Sequence, residues 1–144
     1  AHGLYTLATT QLAIGDAPAA RGSAERAVAM HRQLFAGAHL GTAMSLVVLA
    51  RAEAASEDDA AARQAYDEAL SVLRALPAER AALRDTLWRA SEHRFRRGDA
   101  AGAEVGLKEL LQLATEDLPA DAPQLQNCRA ALEQCRKALE AQGK

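Results

Sequence analysis

The chain has few of the residues that build sheets: 5 Val, 1 Ile and five aromatic side chains among 144 residues. That scarcity excludes a β-sheet core, which draws on β-branched and aromatic side chains. Two cysteines cannot make a disulfide framework, so the expected compartment is a reducing one, the cytoplasm. No apolar run approaches the ~20 residues needed to span a bilayer, and no signal-peptide pattern opens the chain. The longest apolar stretch lies near Leu46–Ala50 and is far too short. An excess of one charge is also lacking. Seventeen basic against 19 acidic side chains give a net charge of −2, so no nucleic-acid partner is expected.

What the chain has in quantity is Ala and Leu, 36 and 20 residues respectively, both strong helix formers. The expected fold class is all-α. Arg outnumbers Lys 14 to 3, which with the Ala content points to a GC-rich bacterial genome. Apolar periodicity begins at Leu4 without an initiating Met, and the chain reads as a single domain cut from a larger protein.

One pattern recurs three times. A small turn ending in Asp is followed four residues later by Ala, then by further small or apolar residues at helical spacing. It stands as Gly15-Asp16, Ala20, Ala24 and Ala27; as Glu57-Asp58, Ala62, Tyr66 and Ala69; and as Gly98-Asp99, Ala103, Leu107 and Leu110. The three aspartates are about 42 residues apart, and equal periods are the mark of stacked repeats. Each unit reads as a helical hairpin in which the Asp caps the second helix and Gly15 or Gly98 ends the first. Hairpins are expected at about 4–36, 40–76 and 79–115.

These residues resemble the tetratricopeptide repeat (TPR) family: Leu7, Gly15, Asp16, Ala20 and Ala27 in the first unit, Leu49, Asp58, Ala62, Tyr66 and Ala69 in the second, Gly98, Asp99 and Ala103 in the third. The ~42-residue period exceeds the 34 of the ordinary repeat, and the stretch from His39 to Ala50 is similar to the long-helix variant of kinesin light chain. That variant also occurs in bacterial multidomain signalling proteins, Ser/Thr kinases among them. Paired asparagines stand in it where Val47 and Val48 stand here. The resemblance implies a right-handed α-solenoid of about three hairpins.

After Leu113 the pattern breaks. Asp121 is the expected N-cap, and Pro123 falls in the first turn of a helix over about 122–141. Its apolar face, with Cys128, Leu132, Cys135 and Leu139, suits a capping helix over the last hairpin. Cys128 and Cys135 are seven residues apart, too far to bond within one helix, and are expected to be buried structural thiols. The four histidines show no metal spacing, and His39 is expected to be structural. Gly98, Gly102 and Gly106, followed by Lys108, do not form a phosphate loop; Gly102 and Gly106 are expected to thin one helix face for close packing. Arg94, Arg96 and Arg97 suit the C-terminus of their helix. No catalytic constellation appears, so no enzyme activity, cofactor or metal is expected.

In the family, the concave wall is lined by first-helix residues that point away from the second helix. Carried over, this gives Tyr5 and Thr9, then Val47 and Arg51, then Trp88, Glu92 and Arg96, with Arg129 and Glu133 continuing it on the last helix. Trp88 stands beside the packing residue Leu87 and is expected at the groove or packed on the capping helix. The expected function is binding a protein or peptide in this groove, inside a bacterial signalling protein such as a Ser/Thr kinase. Two alternatives are self-association through an exposed solenoid edge, as a spacer, and a ligand- or peptide-sensing domain that controls an attached effector.

Overall fold

The computed structural model describes residues 1–143, which hold seven helices and no strand. They fall into two compact units, the first running from Ala1 to Leu83 and the second beginning at Arg84. In the first unit lie α1 (His2–Ala13), α2 (Ala17–Leu34), α3 (Leu40–Ala55) and α4 (Asp59–Arg74). Most of α5 (Arg80–Arg96) belongs to the second, with α6 (Ala100–Asp117) and α7 (Pro123–Gln142).

The three turns α1–α2, α3–α4 and α5–α6 are each three residues long and share one hydrogen-bond scheme. Asp16, Asp58 and Asp99 donate their backbone N–H to the carbonyls of Gln11, Glu53 and Arg94, each at 2.9 Å. The residue before each Asp donates to Leu12, Ala54 and Phe95 respectively, at 3.0–3.1 Å. These paired bonds form the Schellman motif, which satisfies the last carbonyls of the first helix. The same aspartates accept, through Oδ1, from the backbone N–H of Ala19, Ala61 and Gly102 at 3.1, 3.2 and 2.9 Å. One residue thus closes one helix and opens the next.

The scheme requires a left-handed backbone just before the Asp. Gly15 and Gly98 adopt φ of 85° and 83°, and Glu57 adopts 62°. A side chain there costs roughly 1–2 kcal/mol that glycine avoids, part of which glycine loses again to unfolded-chain entropy. Glu57→Gly should therefore gain about 0.5–1 kcal/mol. An unchanged urea midpoint would show that Glu57 stores no such strain.

Small residues let the helix pairs approach. Ala8, Ala20, Ala24, Ala27, Ala43, Ala50, Ala62 and Ala69 have no exposed surface in the first unit. Tyr5, Leu12 and Leu49 close over the cluster of Ala8, Ala24 and Val48. The α3 helix packs against α1, α2 and α4, as its apolar residues on nearly every side demand. At its start His39 Nδ1 accepts from the Gly41 N–H at 3.0 Å, which makes His39 the N-cap, and the His39 ring stacks on Phe35 with centroids 3.7 Å apart.

In the second unit Gly106 of α6 faces Ser91 of α5 so closely that a Cβ would lie 2.3 Å from its hydroxyl. The expectation that this glycine thins a packing face is met there. Arg84 pairs with Asp117, and Arg94 with Asp99 at 2.9 Å, so the ends of α5 and α6 are tied at both extremities of the hairpin. The start of α7 differs from expectation. Its N-cap is Ala122, and Asp121 makes no cap bond. The residue before a proline is driven to extended backbone; Ala122 has φ −59°, ψ 132°, so the helix begins only at Pro123.

Candidate functional site: the hollow at Trp88

The second unit contains an apolar hollow of about 170 Å³ formed by α5, α6 and α7. From α5 it takes Trp88, Ser91, Glu92 and Phe95, from α6 Leu107, and from α7 Ala131, Gln134 and Cys135. The α5 residues follow the spacing i, i+3, i+4, i+7, a single helix face. Trp88 and Phe95 are half-buried and Glu92 is exposed. The hollow is therefore an aromatic-edged surface with a carboxylate at its rim and Ser91 in its wall.

The thiols of α7, of which Cys135 lines the hollow and Cys128 does not, are chemically quiet. Cys128 and Cys135 are free thiols with 0% and 1% exposure, and Cys128 donates to the Leu107 carbonyl at 3.3 Å. Burial pushes both thiols above their ordinary range, the nearby Arg129 offsetting this in part for Cys128 and Glu104 adding to it for Cys135. Buried, protonated thiols react slowly. A disulfide reagent should find neither thiol fast-reacting in the folded chain and both fast-reacting in denaturant; immediate reaction of a thiol in the folded chain would show that α7 opens readily.

The residues assigned from sequence reach several environments. Trp88 and Glu92 meet at the hollow, whereas Arg96 is exposed beyond it, 4.0 Å from Glu92. On α7, Arg129 and Glu133 are exposed and do not line it. Glu133 is held by Arg136, whose Nε donates to it at 3.0 Å, and that bond lowers the Glu133 pKa. The α7 face that does line the hollow, Ala131, Gln134 and Cys135, is rotated from the one expected. Phe95 was also missed; its signal was the i+7 spacing from Trp88.

In the first unit Tyr5 and Thr9 are half-buried on one face of α1, and the Thr9 hydroxyl donates to the Tyr5 carbonyl at 2.9 Å. Arg51 is half-buried on α3. Val47 is a correction: it is only 3% exposed, because α3 is flanked by three helices and leaves this position no solvent face. It cannot line a binding wall. Among the described residues no group of His, Cys, Asp and Glu side chains could hold a metal ion, and no helix is long and apolar enough to cross a membrane.

Three-residue turns of one design, each joining helices across small-residue seams, define a helical-hairpin repeat protein. Residues 1–75 match the sequence pattern of the family described as Tetratricopeptide repeat. The chain belongs to the tetratricopeptide repeat family. Among solved structures it is similar to a variant of a Podosopora anserina protein described as a kinesin light chain with nearly identical TPR-like repeats. The TM-score is 0.82 at 17% identity, over 96% of this chain and 66% of that one. This likeness shows the all-α TPR fold. A second structure of those repeats matches at 13% identity and TM-score 0.48, over 97% of this chain and 87% of that one. No curated protein sequence matches.

Proposed function

We propose that the chain is a non-catalytic module that binds a peptide or protein, with the hollow at Trp88 as its anchor point. The observation that carries this reading is a half-exposed tryptophan on the edge of an apolar hollow, with Phe95 and Glu92 beside it. Trp, Tyr and Arg dominate interface energetics because they combine large contact area with a polar or charged handle. TPR repeats are commonly protein-interaction scaffolds, and rigid helix faces lose little freedom on binding. Arg96, 4.0 Å from Glu92, would add charge at the edge of the hollow, and Tyr5, Thr9 and Arg51 would offer a separate contact surface within the first unit.

The biological setting we propose is a bacterial cytoplasmic signalling protein in which this module recruits a partner to an attached effector such as a Ser/Thr kinase. Selection from a displayed peptide library tests the binding itself. Trp88 is the chain's single tryptophan, so its fluorescence reports on the hollow directly. Selected peptides should shift its emission saturably. Peptides that bind without moving it would relocate the site, and mass rising with concentration in light scattering would favour self-association.

A further inference from the structure

We infer that the hollow at Trp88 takes an arginine side chain of the partner, with the aliphatic stem on its apolar floor and the guanidinium at Glu92 beside the Trp88 ring. This rests on the reading of the hollow as a peptide anchor and gives that anchor its chemistry. Among the described residues that line the hollow, Glu92 alone is charged. At about 170 Å³ the space is smaller than the ~300–1,000 Å³ of small-molecule sites, so it suits one side chain.

Polarity changes from the inside of the hollow to its edge. Leu107, 4% exposed, lies in the apolar lining, whereas the Glu92 side chain is 49% exposed and open to a ligand. Glu92 is 4.0 Å from Arg96, whose side chain is 67% exposed, and that separation is longer than a hydrogen bond. Neighbouring arginines of α5 are engaged elsewhere: Arg89 bonds Asp85 at 3.1 Å and Arg94 bonds Asp99 at 2.9 Å. The Glu92 carboxylate therefore keeps acceptor capacity for an incoming donor.

An aliphatic anchor would fill the floor but strip water from this carboxylate without replacing the lost hydrogen bonds, which is costly. A long basic side chain instead lays its stem on apolar surface and keeps its charge at the wet edge. Trp88 and Glu92 are i, i+4 neighbours on α5, ~5–6 Å apart at Cβ, so a cation held by the carboxylate comes within the ~6 Å reach of the Trp88 ring. Phe95 adds aromatic surface one turn further on. A guanidinium is weakly hydrated and planar, and it stacks on an aromatic ring while forking onto a carboxylate; an ammonium does neither.

The test is a titration of the full chain, followed by Trp88 emission, with N-acetyl-arginine-methylamide, its uncharged isostere N-acetyl-citrulline-methylamide, and the lysine and leucine counterparts. The arginine probe should give a saturable shift. Citrulline should bind about tenfold more weakly, with lysine between the two. Glu92→Gln should weaken arginine binding about fivefold, the scale of a half-exposed ion pair, and leave citrulline unchanged. Arg96→Gln, which removes the competing cation, should tighten arginine binding. Citrulline or lysine binding as well as arginine, undiminished binding to the Glu92→Gln chain, or weaker binding to the Arg96→Gln chain would overturn the inference. So would a shift from the leucine probe alone, or none from arginine while library-selected peptides still move Trp88; in both cases the peptide anchor itself stands. No shift from any probe or any peptide would remove both.

Discussion

Leu125→Ala is expected to remove about 2–5 kcal/mol from the stability of the unit that begins at Arg84. The side chain is 1% exposed and packs with Ala114 and Ala122 beneath Leu111 and Leu118. It is the only large aliphatic among the three buried residues of α7, the others being Cys128 and Cys135. The helix also lacks a side-chain cap at its start, so nothing local substitutes for the lost contact. Most helical stability in a folded protein comes from packing of the apolar face rather than from propensity, so α7 depends on this docking. Urea unfolding followed by circular dichroism measures the loss, and hydrogen exchange should show the α7 amides losing protection first. A loss below ~1 kcal/mol would mean that the neighbouring leucines collapse into the vacated space.

The second large effect concerns binding. For a peptide that shifts Trp88 emission, Trp88→Ala should weaken affinity about 30-fold, the equivalent of ~2 kcal/mol for an aromatic anchor. Trp88→Phe should retain part of that affinity, because the ring still covers the apolar hollow while the indole N–H is lost. Calorimetric titration of both variants, alongside their urea midpoints, separates binding from packing. If the alanine variant binds normally but unfolds at lower urea, Trp88 belongs to the α5–α7 seam and serves stability alone.

Much of this architecture was legible in the sequence for a specific reason. The turn aspartates Asp16, Asp58 and Asp99 each carry two obligations, a backbone bond backward and a side-chain bond forward, and few residue types meet both. That narrow requirement leaves a periodic signal in a chain otherwise dominated by Ala and Leu. Trp88 was placed off the packing face because it stands beside the packing residue Leu87, and Glu92 was placed by carrying over the first-helix positions of the family; both line the hollow.

What stayed hidden depended on neighbours distant in sequence. Val47 was assigned to a wall by its place along one helix, but its burial is decided by helices on several sides of α3. On α7 the apolar face is broad enough that spacing could not choose between Arg129 with Glu133 and Ala131 with Gln134. Glu53, 4% exposed, gave no sign of burial, since a carboxylate at a helical position ordinarily reads as surface. Asp121 was chosen as a cap by residue type, whereas Pro123 fixed where the helix could start.

The turn aspartates also partition the chain by its tolerance of length change. Between α1 and α2, α3 and α4, and α5 and α6 there is no slack: a single added residue would separate the backward bond from the forward one. The α2–α3, α4–α5 and α6–α7 connections are each five residues long and carry no such double duty. Extra segments, whether acquired by evolution or inserted as an epitope or protease site, belong at the exposed positions of these connections, 36–38, 77–78 and 119–121. A hairpin can thus gain new surface at its open end while its closed tip keeps a fixed length.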